Sequence, residues 1–337
     1  MMCRHSVPHT SAQRASRALL SVLALLTACA IPQTHKGFSI TSPSNDGAQV
    51  EYASTEDLMV SGLVSEALGY AQTSRFVDAE VRLRQARYLK PANEAVLFNT
   101  AVVISQTGQT EEAEEIVNDL LSRHPSNPNY RQALADIHVA EGRYAQAIEE
   151  LKKVFQLYKT SGNYYTASRI ARSISNIVFG IGKEQEALCY SAEAVSLYPA
   201  PVQSGAHLRI LVALNFFKQA EEYQKSLTAE MNSVVGYHYL AMARYALGNF
   251  TGAAEAEDIA YARTLEAPER SGEISVAWWL MKNKIPPPTE ETDEAKERFV
   301  EMRKEVADFA QKDNFELSTW PNSLREELYS IKPEEES

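Results

Sequence analysis

Cysteine, histidine and long apolar runs are scarce in this chain, and their scarcity excludes several classes of protein. Three cysteines and seven histidines in 337 residues do not supply a disulfide-stapled scaffold or a cysteine-rich zinc domain. Within the predicted helical region no two histidines stand four residues apart, so a metal site of ordinary spacing is not expected. No apolar run approaches the roughly 20 residues that cross a bilayer.

Catalytic motifs and an excess of basic residues are also absent. The segment Gly180-Ile181-Gly182 suits a turn rather than a dinucleotide-binding loop, and no nucleophile elbow occurs. Four glutamates at positions 111, 112, 114 and 115 fit a solvated helix face better than paired acid and base. With 33 basic against 44 acidic residues and a net charge of −11, the chain is not expected to bind nucleic acid. We therefore expect no enzyme and no cofactor.

The first 28 residues have the pattern of an export signal. They contain three arginines and no acid, and a short apolar run over residues 18–26 follows. The sequence Leu26-Thr27-Ala28-Cys29 resembles the lipobox of bacterial lipoproteins, in which cleavage precedes a cysteine that carries lipid. The alternative is an ordinary cleaved signal. The polar, turn-rich residues 29–55 are predicted to form a flexible tether of roughly 25–30 Å typical reach.

The lipoprotein resemblance implies a membrane anchor at Cys29 that includes palmitate-like acyl chains. One acyl chain holds a protein only reversibly, whereas several give a lasting anchor. Ala30, rather than aspartate, follows the cysteine, which in Gram-negative lipoproteins implies the outer membrane, and we expect a body facing the periplasm. Loss of residues 1–28 would remove three arginines, leaving 30 basic and 44 acidic residues and a charge of −14.

Small residues recur at a fixed interval after the tether. Ala79, Ala113 and Ala147 are each 34 residues apart, and Ala67, Ala101 and Ala135, Pro91 and Pro125, and Gly108 and Gly142 keep the same spacing. A period of 34 residues predicts two helices per unit, stacked on their neighbours to bury a shared apolar face. The alanines would lie where helices cross closely, and the glycines where a first helix ends.

This pattern resembles the tetratricopeptide repeat, which implies an all-α superhelical solenoid of about six helix-turn-helix units over residues 56–267. The fourth unit arrives six residues late, because Gly142 to Gly182 spans 40 residues, and the extra residues are placed near 160–163 with a long helix after them. The fifth unit is degenerate and has Asn215 where the others have glycine.

In that family the first helix of each unit lines a concave groove that binds partners. Carried over to this sequence, the resemblance implies groove positions that include Val64, Phe98, Val102, Gln106, Gln132, Asp136, Arg169, Arg172, Asn176, Arg209 and Tyr245. Arg169 and Arg172 share a helix face, and their guanidinium groups suit the carboxylates of an acidic or C-terminal peptide segment. The alternative is that these arginines pair with local glutamates.

Residues 268–337 form a C-terminal extension. The apolar stretch around Trp278 and Trp279 predicts a helix that caps the last repeat, with a partner interface as the alternative. The prolines of 286–288 predict an extended linker, after which residues 294–312 predict an amphipathic helix. That helix either folds back onto the repeats or awaits a partner groove, and the last residues form an acidic tail.

These observations predict a membrane-anchored scaffold that binds proteins during assembly of a cell-envelope complex. The chain is similar in kind to pilotin and pilus-assembly lipoproteins, which help a secretin or pilus to assemble, and to other envelope-adaptor lipoproteins. Two alternatives stay open: an accessory structural subunit of a large membrane complex, and a periplasmic module that binds a small ligand.

Overall fold

The computed structural model describes residues 54–282, 284, 306–310, 317 and 319–331. Cys29, the signal segment and nearly all of the tether lie outside these residues. The described chain consists of helices and their connections, with no strand among the described residues. It divides into two compact units: an N-terminal unit described over residues 54–157, and a C-terminal unit described from residue 158 onward.

The N-terminal unit is built from consecutive helix pairs. Its helices are α1 (Thr55–Gln72), α2 (Phe76–Leu89), α3 (Glu94–Gln106), α4 (Thr110–Arg123), α5 (Pro128–Ala140) and α6 (Tyr144–Thr160), which runs past the boundary between the units. α1 packs on α2 and α3, and α4 packs on both α3 and α5. Each of the first two pairs is thus covered by the next.

The C-terminal unit continues the pattern of pairs and then departs from it. Its helices are α7 (Tyr164–Gly180), α8 (Glu184–Leu197), α9 (Pro201–Ala213), α10 (Phe217–Ser226), α11 (Val234–Ala246), α12 (Phe250–Ala262), α13 (Ser271–Lys282) and α14 (Asn322–Ser330). Short 3₁₀ turns lie at 229–231, 264–266 and 268–270. The prediction of an all-α fold made of repeated helix pairs is therefore confirmed.

Asparagine and serine side chains begin many of these helices. The side-chain oxygens of Asn93, Asn127 and Asn163 accept hydrogen bonds from the first-turn N–H groups of α3, α5 and α7. Ser233 and Asn249 do the same for α11 and α12. Because the first four N–H groups of a helix have no partner within it, such caps fix where each helix starts.

The first helix of every pair ends in a left-handed residue. These residues are Ser74, Gly108, Gly142, Gly182, Asn215 and Gly248, with φ between 58° and 86°. Glycine adopts this conformation without steric cost, and asparagine is the side chain that tolerates it best. Asn215 therefore performs the predicted role of glycine in the degenerate fifth pair, and Ser74 has this role in the first pair, where no glycine stands.

The recurring alanines lie at the helix crossings. Ala67, Ala79, Ala101, Ala113, Ala135 and Ala147 are all 0% exposed. Larger apolar side chains surround them, and in the second and third pairs Leu97, Ile104, Val117, Leu120 and Ile137 form one cluster. The alanines thus let two backbones approach, while leucine and isoleucine fill the space on either side.

The six additional residues between the third and fourth pairs lengthen two helices. α6 and α7 each have 17 residues, against 14 in α4 and 13 in α5. The prediction of a long α7 is confirmed, whereas the lengthening of α6 was not foreseen. Gly162, with φ of 75°, forms the turn between them.

The C-terminal extension packs on the last pair of helices. Buried residues of α13 and of the segment 306–328 share one apolar cluster with α11 and α12, including Val276, Leu280, Val306, Trp320, Leu324 and Leu328. Residues 306–310, the described part of the predicted amphipathic helix, pack back onto this cluster through Val306 and Phe309. The rest of that helix and the proline-rich linker lie outside the described residues.

Enlarging an alanine at a helix crossing is expected to destabilise the fold. Ala147 is fully buried, while Ala145 on the same helix is exposed. Ala147→Leu should lower the free energy of unfolding by about 1–3 kcal/mol through overpacking. Ala145→Leu is the matched control and should change it by less than about 0.5 kcal/mol. Urea unfolding followed by circular dichroism measures both, and equal effects would contradict the assigned crossing.

Candidate functional site

The predicted groove positions of the N-terminal unit combine apolar and polar side chains. Phe98 on α3 is half-buried, and its ring centroid lies 5.3 Å from that of Tyr130. Val64 on α1 and Val102 on α3 are also only partly covered, although both pack against the core. Gln106, one turn beyond Val102, is exposed. This surface therefore offers apolar contact area held in place by the packing beneath it.

Gln132 and Asp136 lie one turn apart on α5 and are both half-buried. Burial raises the pKa of Asp136 from 3.8 to about 7, and no neighbouring charge contributes to the shift. The carboxyl of Asp136 is therefore held in a position where its charged form is unfavourable near neutral pH. The charged form of such a group is stabilised when a cationic or hydrogen-bond-donating partner reaches it.

Two arginines of the C-terminal unit occupy neighbouring positions on α7. Arg169 and Arg172 are both half-buried, three residues apart. The Arg169 guanidinium lies 5.9 Å from the centroid of the Tyr165 ring, and no ion pair joins Arg169 to an acidic residue within the described chain. Pairing with a local glutamate, the alternative reading, does not account for Arg169.

Arg209 and Asn176 are directed into the protein rather than toward a partner. Both are buried, and Arg209 Nη2 donates a 2.7 Å hydrogen bond to Asn176 Oδ1. The guanidinium also lies 5.4 Å from the centroid of the Phe179 ring. These contacts hold the Arg209 side chain between α9 and α7. Of the three arginines predicted to line the groove, Arg209 is therefore the one that does not face a partner.

Tyr245, the groove position of the sixth pair, is covered by the chain's own C-terminal segment. Its hydroxyl donates to the carboxylate of Glu327 on α14, and burial with this contact raises the pKa of Tyr245. The Glu327 carboxylate also lies 3.2 Å from Lys284 Nζ. On the same helix, the Tyr239 hydroxyl lies 3.3 Å from Thr319 Oγ1. The C-terminal segment thus occupies this surface of α11.

A buried ionic network lies beneath that segment. His238 Nδ1 is 2.7 Å from Glu257 Oε1, and His238 Nε2 is 3.1 Å from Glu273 Oε1. Glu273 also accepts hydrogen bonds from Arg270 Nη1 at 2.9 Å and from Trp320 Nε1 at 2.8 Å. Two cations therefore balance two carboxylates. The side chains of His238, Glu257 and Glu273 are closed to solvent or nearly so, and that of Arg270 is 14% exposed, which suits a structural role.

The charges in this network fix the protonation of the imidazole. The two carboxylates outweigh burial and raise the pKa of His238 to about 10, while His238 and Arg270 lower that of Glu273 to about 2. Burial raises the pKa of Glu257. Because the folded pKa of His238 exceeds its unfolded value, its stabilising contribution is present at neutral pH and is lost as the pH rises toward 10.

Trp278 and Trp279 lie against the chain's own helices. Trp279 is only 7% exposed and belongs to the apolar cluster of the last pair. The Trp278 ring stacks on Tyr261 with centroids 4.7 Å apart, and its Nε1 donates to Asp258 Oδ1 at 2.7 Å. The helix that carries them therefore covers the last repeat, which leaves little of either ring for a partner.

No helix of the described chain is long and apolar enough to span a membrane. Cys29, the predicted lipidation site, falls outside the described residues.

Comparison with known proteins agrees with the repeat geometry. Residues 70–137 match a family model of the tetratricopeptide repeat. A tetratricopeptide repeat protein from Parabacteroides merdae is 15% identical, with 81% of this chain and 99% of that chain aligned and a TM-score of 0.52. The pilF protein of Pseudomonas aeruginosa is 16% identical over 69% of this chain and 100% of its own, with a TM-score of 0.49. No curated protein matches the chain. At such identities the likeness concerns the fold alone.

The raised pKa of Asp136 predicts that Asp136→Asn stabilises the fold by an amount that depends on pH. Between about pH 4 and 7 the folded chain holds the Asp136 proton more tightly than the unfolded chain, so the charge destabilises the fold increasingly as the pH rises. Asp136→Asn should raise the free energy of unfolding by about 1–2 kcal/mol at pH 8, less than the full shift because the carboxyl is partly exposed. Near pH 4 the gain should vanish.

Urea unfolding of both proteins at pH 4, 6 and 8 measures this gain. Glu115→Gln, which removes an exposed carboxylate from α4, is the control and should show no such trend. A gain for Asp136→Asn that does not depend on pH would contradict the assignment.

Proposed function

We propose that this protein is a membrane-anchored adaptor without catalytic activity, whose repeat surfaces bind protein partners during assembly of a cell-envelope complex such as a secretin or a pilus. The tetratricopeptide fold is a scaffold for protein–protein interaction, and residues 70–137 match it directly. The observation that carries the proposal is the partly exposed apolar surface of α1 and α3, held rigidly by the alanine crossings beneath it.

The N-terminal unit suits a partner segment with apolar anchors. Val64, Phe98 and Val102 are covered enough to be fixed in position, yet exposed enough to contact a further side chain. Polar Gln106 borders them and supplies hydrogen bonds at the edge of a contact. An amphipathic helix or an extended peptide uses such a combination, with apolar side chains in the centre and polar contacts at the rim.

The C-terminal unit suits a negatively charged segment. Arg169 and Arg172 lie on one face of α7, both half-buried, in a protein whose net charge is −11. Charge-assisted hydrogen bonds from guanidinium to carboxylate are about twice as strong as neutral ones. We propose that Arg169 and Arg172 recognise an acidic or C-terminal peptide segment of the partner. Arg209 does not take part, because it donates a hydrogen bond to Asn176 inside the protein.

The membrane anchor is the part of the proposal that depends on sequence alone. The lipobox-like Leu26–Cys29 and the following Ala30 support lipidation of Cys29 and transfer to the outer membrane, with the repeats facing the periplasm. An anchored adaptor of this kind brings its partners to one membrane surface, where assembly requires them.

Photo-crosslinking in intact cells tests partner binding. A benzophenone amino acid replaces Gln106, which is exposed on the predicted binding surface of α3, or Glu115, which is exposed on the second helix α4. We expect a discrete crosslinked protein from position 106 and none from position 115, with mass spectrometry naming the protein. Adducts of equal yield from both positions, or from neither, would remove the support for a binding surface on the first helices.

Substitution of Cys29 tests the anchor. In cells that receive an alkynyl palmitate, Cys29→Ser should abolish labelling of the protein. The variant should then either appear in the soluble fraction or accumulate as an uncleaved precursor. Cys3→Ser, which alters a cysteine of the signal segment, should retain labelling and membrane association. Labelling that persists in Cys29→Ser would show that the anchor is elsewhere or absent.

A further inference from the structure

We propose that Glu114, His138 and Glu141 in the N-terminal unit form a binding site for a divalent transition-metal ion, with Zn²⁺ as the ion that these donors fit best. Glu114 lies on α4, His138 on the last turn of α5, and Glu141 directly after α5. One ring nitrogen of His138 and one carboxylate oxygen of each glutamate all lie within 4.8 Å of one another. The site is separate from the partner surface proposed above and does not depend on it.

His138 is the residue that points to a ligand. Its side chain is only 5% exposed, and its buried Nδ1 has no hydrogen-bond partner. A buried polar atom without a partner costs about 1–3 kcal/mol, which coordination or a hydrogen bond would recover.

A cation already lies between the two carboxylates in this structure. Arg143, in the turn after α5, donates from Nη1 to Glu114 Oε1 at 3.3 Å, and its Nη2 makes closer contacts with both Glu114 and Glu141. The guanidinium marks where positive charge is stabilised, and it does not bond to His138. A metal ion at this place would displace Arg143 and would add the imidazole as a third ligand.

The donor set selects among metal ions. Two carboxylate oxygens and one imidazole nitrogen suit Zn²⁺ and its neighbours in the first transition series, whereas Mg²⁺ and Ca²⁺ favour ligands that are all oxygen. Three protein ligands leave a further position for water or for a partner's side chain. Since Glu114 and His138 belong to consecutive helix pairs, a bound ion would join these pairs.

The competition between Arg143 and the metal gives a test with opposite outcomes for two substitutions. Zn²⁺ binding to the purified full-length protein is measured by isothermal titration calorimetry, with Co²⁺ absorption as a spectroscopic probe of the imidazole ligand. Arg143→Gln should bind Zn²⁺ at least about tenfold more tightly than the parent protein, a difference of about 1.4 kcal/mol. Adding His138→Gln to Arg143→Gln should abolish that gain and the Co²⁺ signal.

Arg84→Gln is the matched control. Arg84 pairs with Glu80 and Glu112 in the same unit, so Arg84→Gln also removes a guanidinium from two carboxylates, although Glu112 keeps its ion pair with Arg87. Arg84→Gln should leave Zn²⁺ affinity unchanged, and histidines outside the site contribute equally to every variant. If Arg143→Gln with His138→Gln fails to fold by circular dichroism, Glu141→Gln at an exposed ligand replaces His138→Gln with the same expected loss.

Three results would overturn the site. They are an unchanged Zn²⁺ affinity in Arg143→Gln, a gain in Zn²⁺ affinity that remains after loss of His138 or Glu141, and an equal gain in Mg²⁺ affinity. The first would show that the cluster is an ion pair alone, and the others that any metal is held by carboxylates without the imidazole. None of these results affects the crosslinking expected at position 106.

Discussion

Close approach of helix backbones at the alanine crossings is the constraint on which the rest of this structure depends. The side chain at each of these positions is only a methyl group, and the six alanines of the first three pairs are fully buried. Because the crossing recurs once per helix pair, the small residue must recur at the same interval. The apolar side chains around each crossing then fill the space that the close approach leaves, so packing and periodicity have a single cause.

The parts of the fold that steric constraints dictate could be predicted from the sequence. Alanine at a crossing and glycine at a left-handed turn are each required by the backbone, and Asn215 is the accepted substitute for glycine. Ser74 was missed because serine carries no strong preference for positive φ, and only the packing of α1 on α2 imposes it. The lengthening of α6 was missed for a related reason: an inserted segment adds helix or loop according to the tertiary contacts available to it.

The positions of the proposed binding surface could be predicted in register, because they lie on first helices, but their exposure could not be predicted as well. Phe98 and Asp136 lie half-buried on first helices, as a surface position requires, whereas Arg209 and Tyr245 are buried by contacts that no local pattern announces. The contact between Tyr245 and Glu327 joins residues 82 positions apart. Repeat periodicity concerns only neighbouring pairs, so it holds no information about a segment that returns to the repeats from far along the chain. The cluster at His138 was missed because Glu114 reaches it from a different pair.

The buried network around His238 decides which surfaces of the C-terminal unit stay open to partners. Trp320 donates to Glu273, which also holds His238 and Arg270, so withdrawal of the C-terminal segment would remove one hydrogen bond from a buried carboxylate and admit water to the others. A hydrogen bond to a charged group contributes about 1.5–3 kcal/mol, and the apolar side chains of α14 add to that cost. A partner competing for α11 must offset this whole amount before it gains anything. The contacts described for α14 lie on α11 and α13, so a partner at Arg169 on α7 would not compete with them, and the proposed binding surface of this unit is α7 rather than α11.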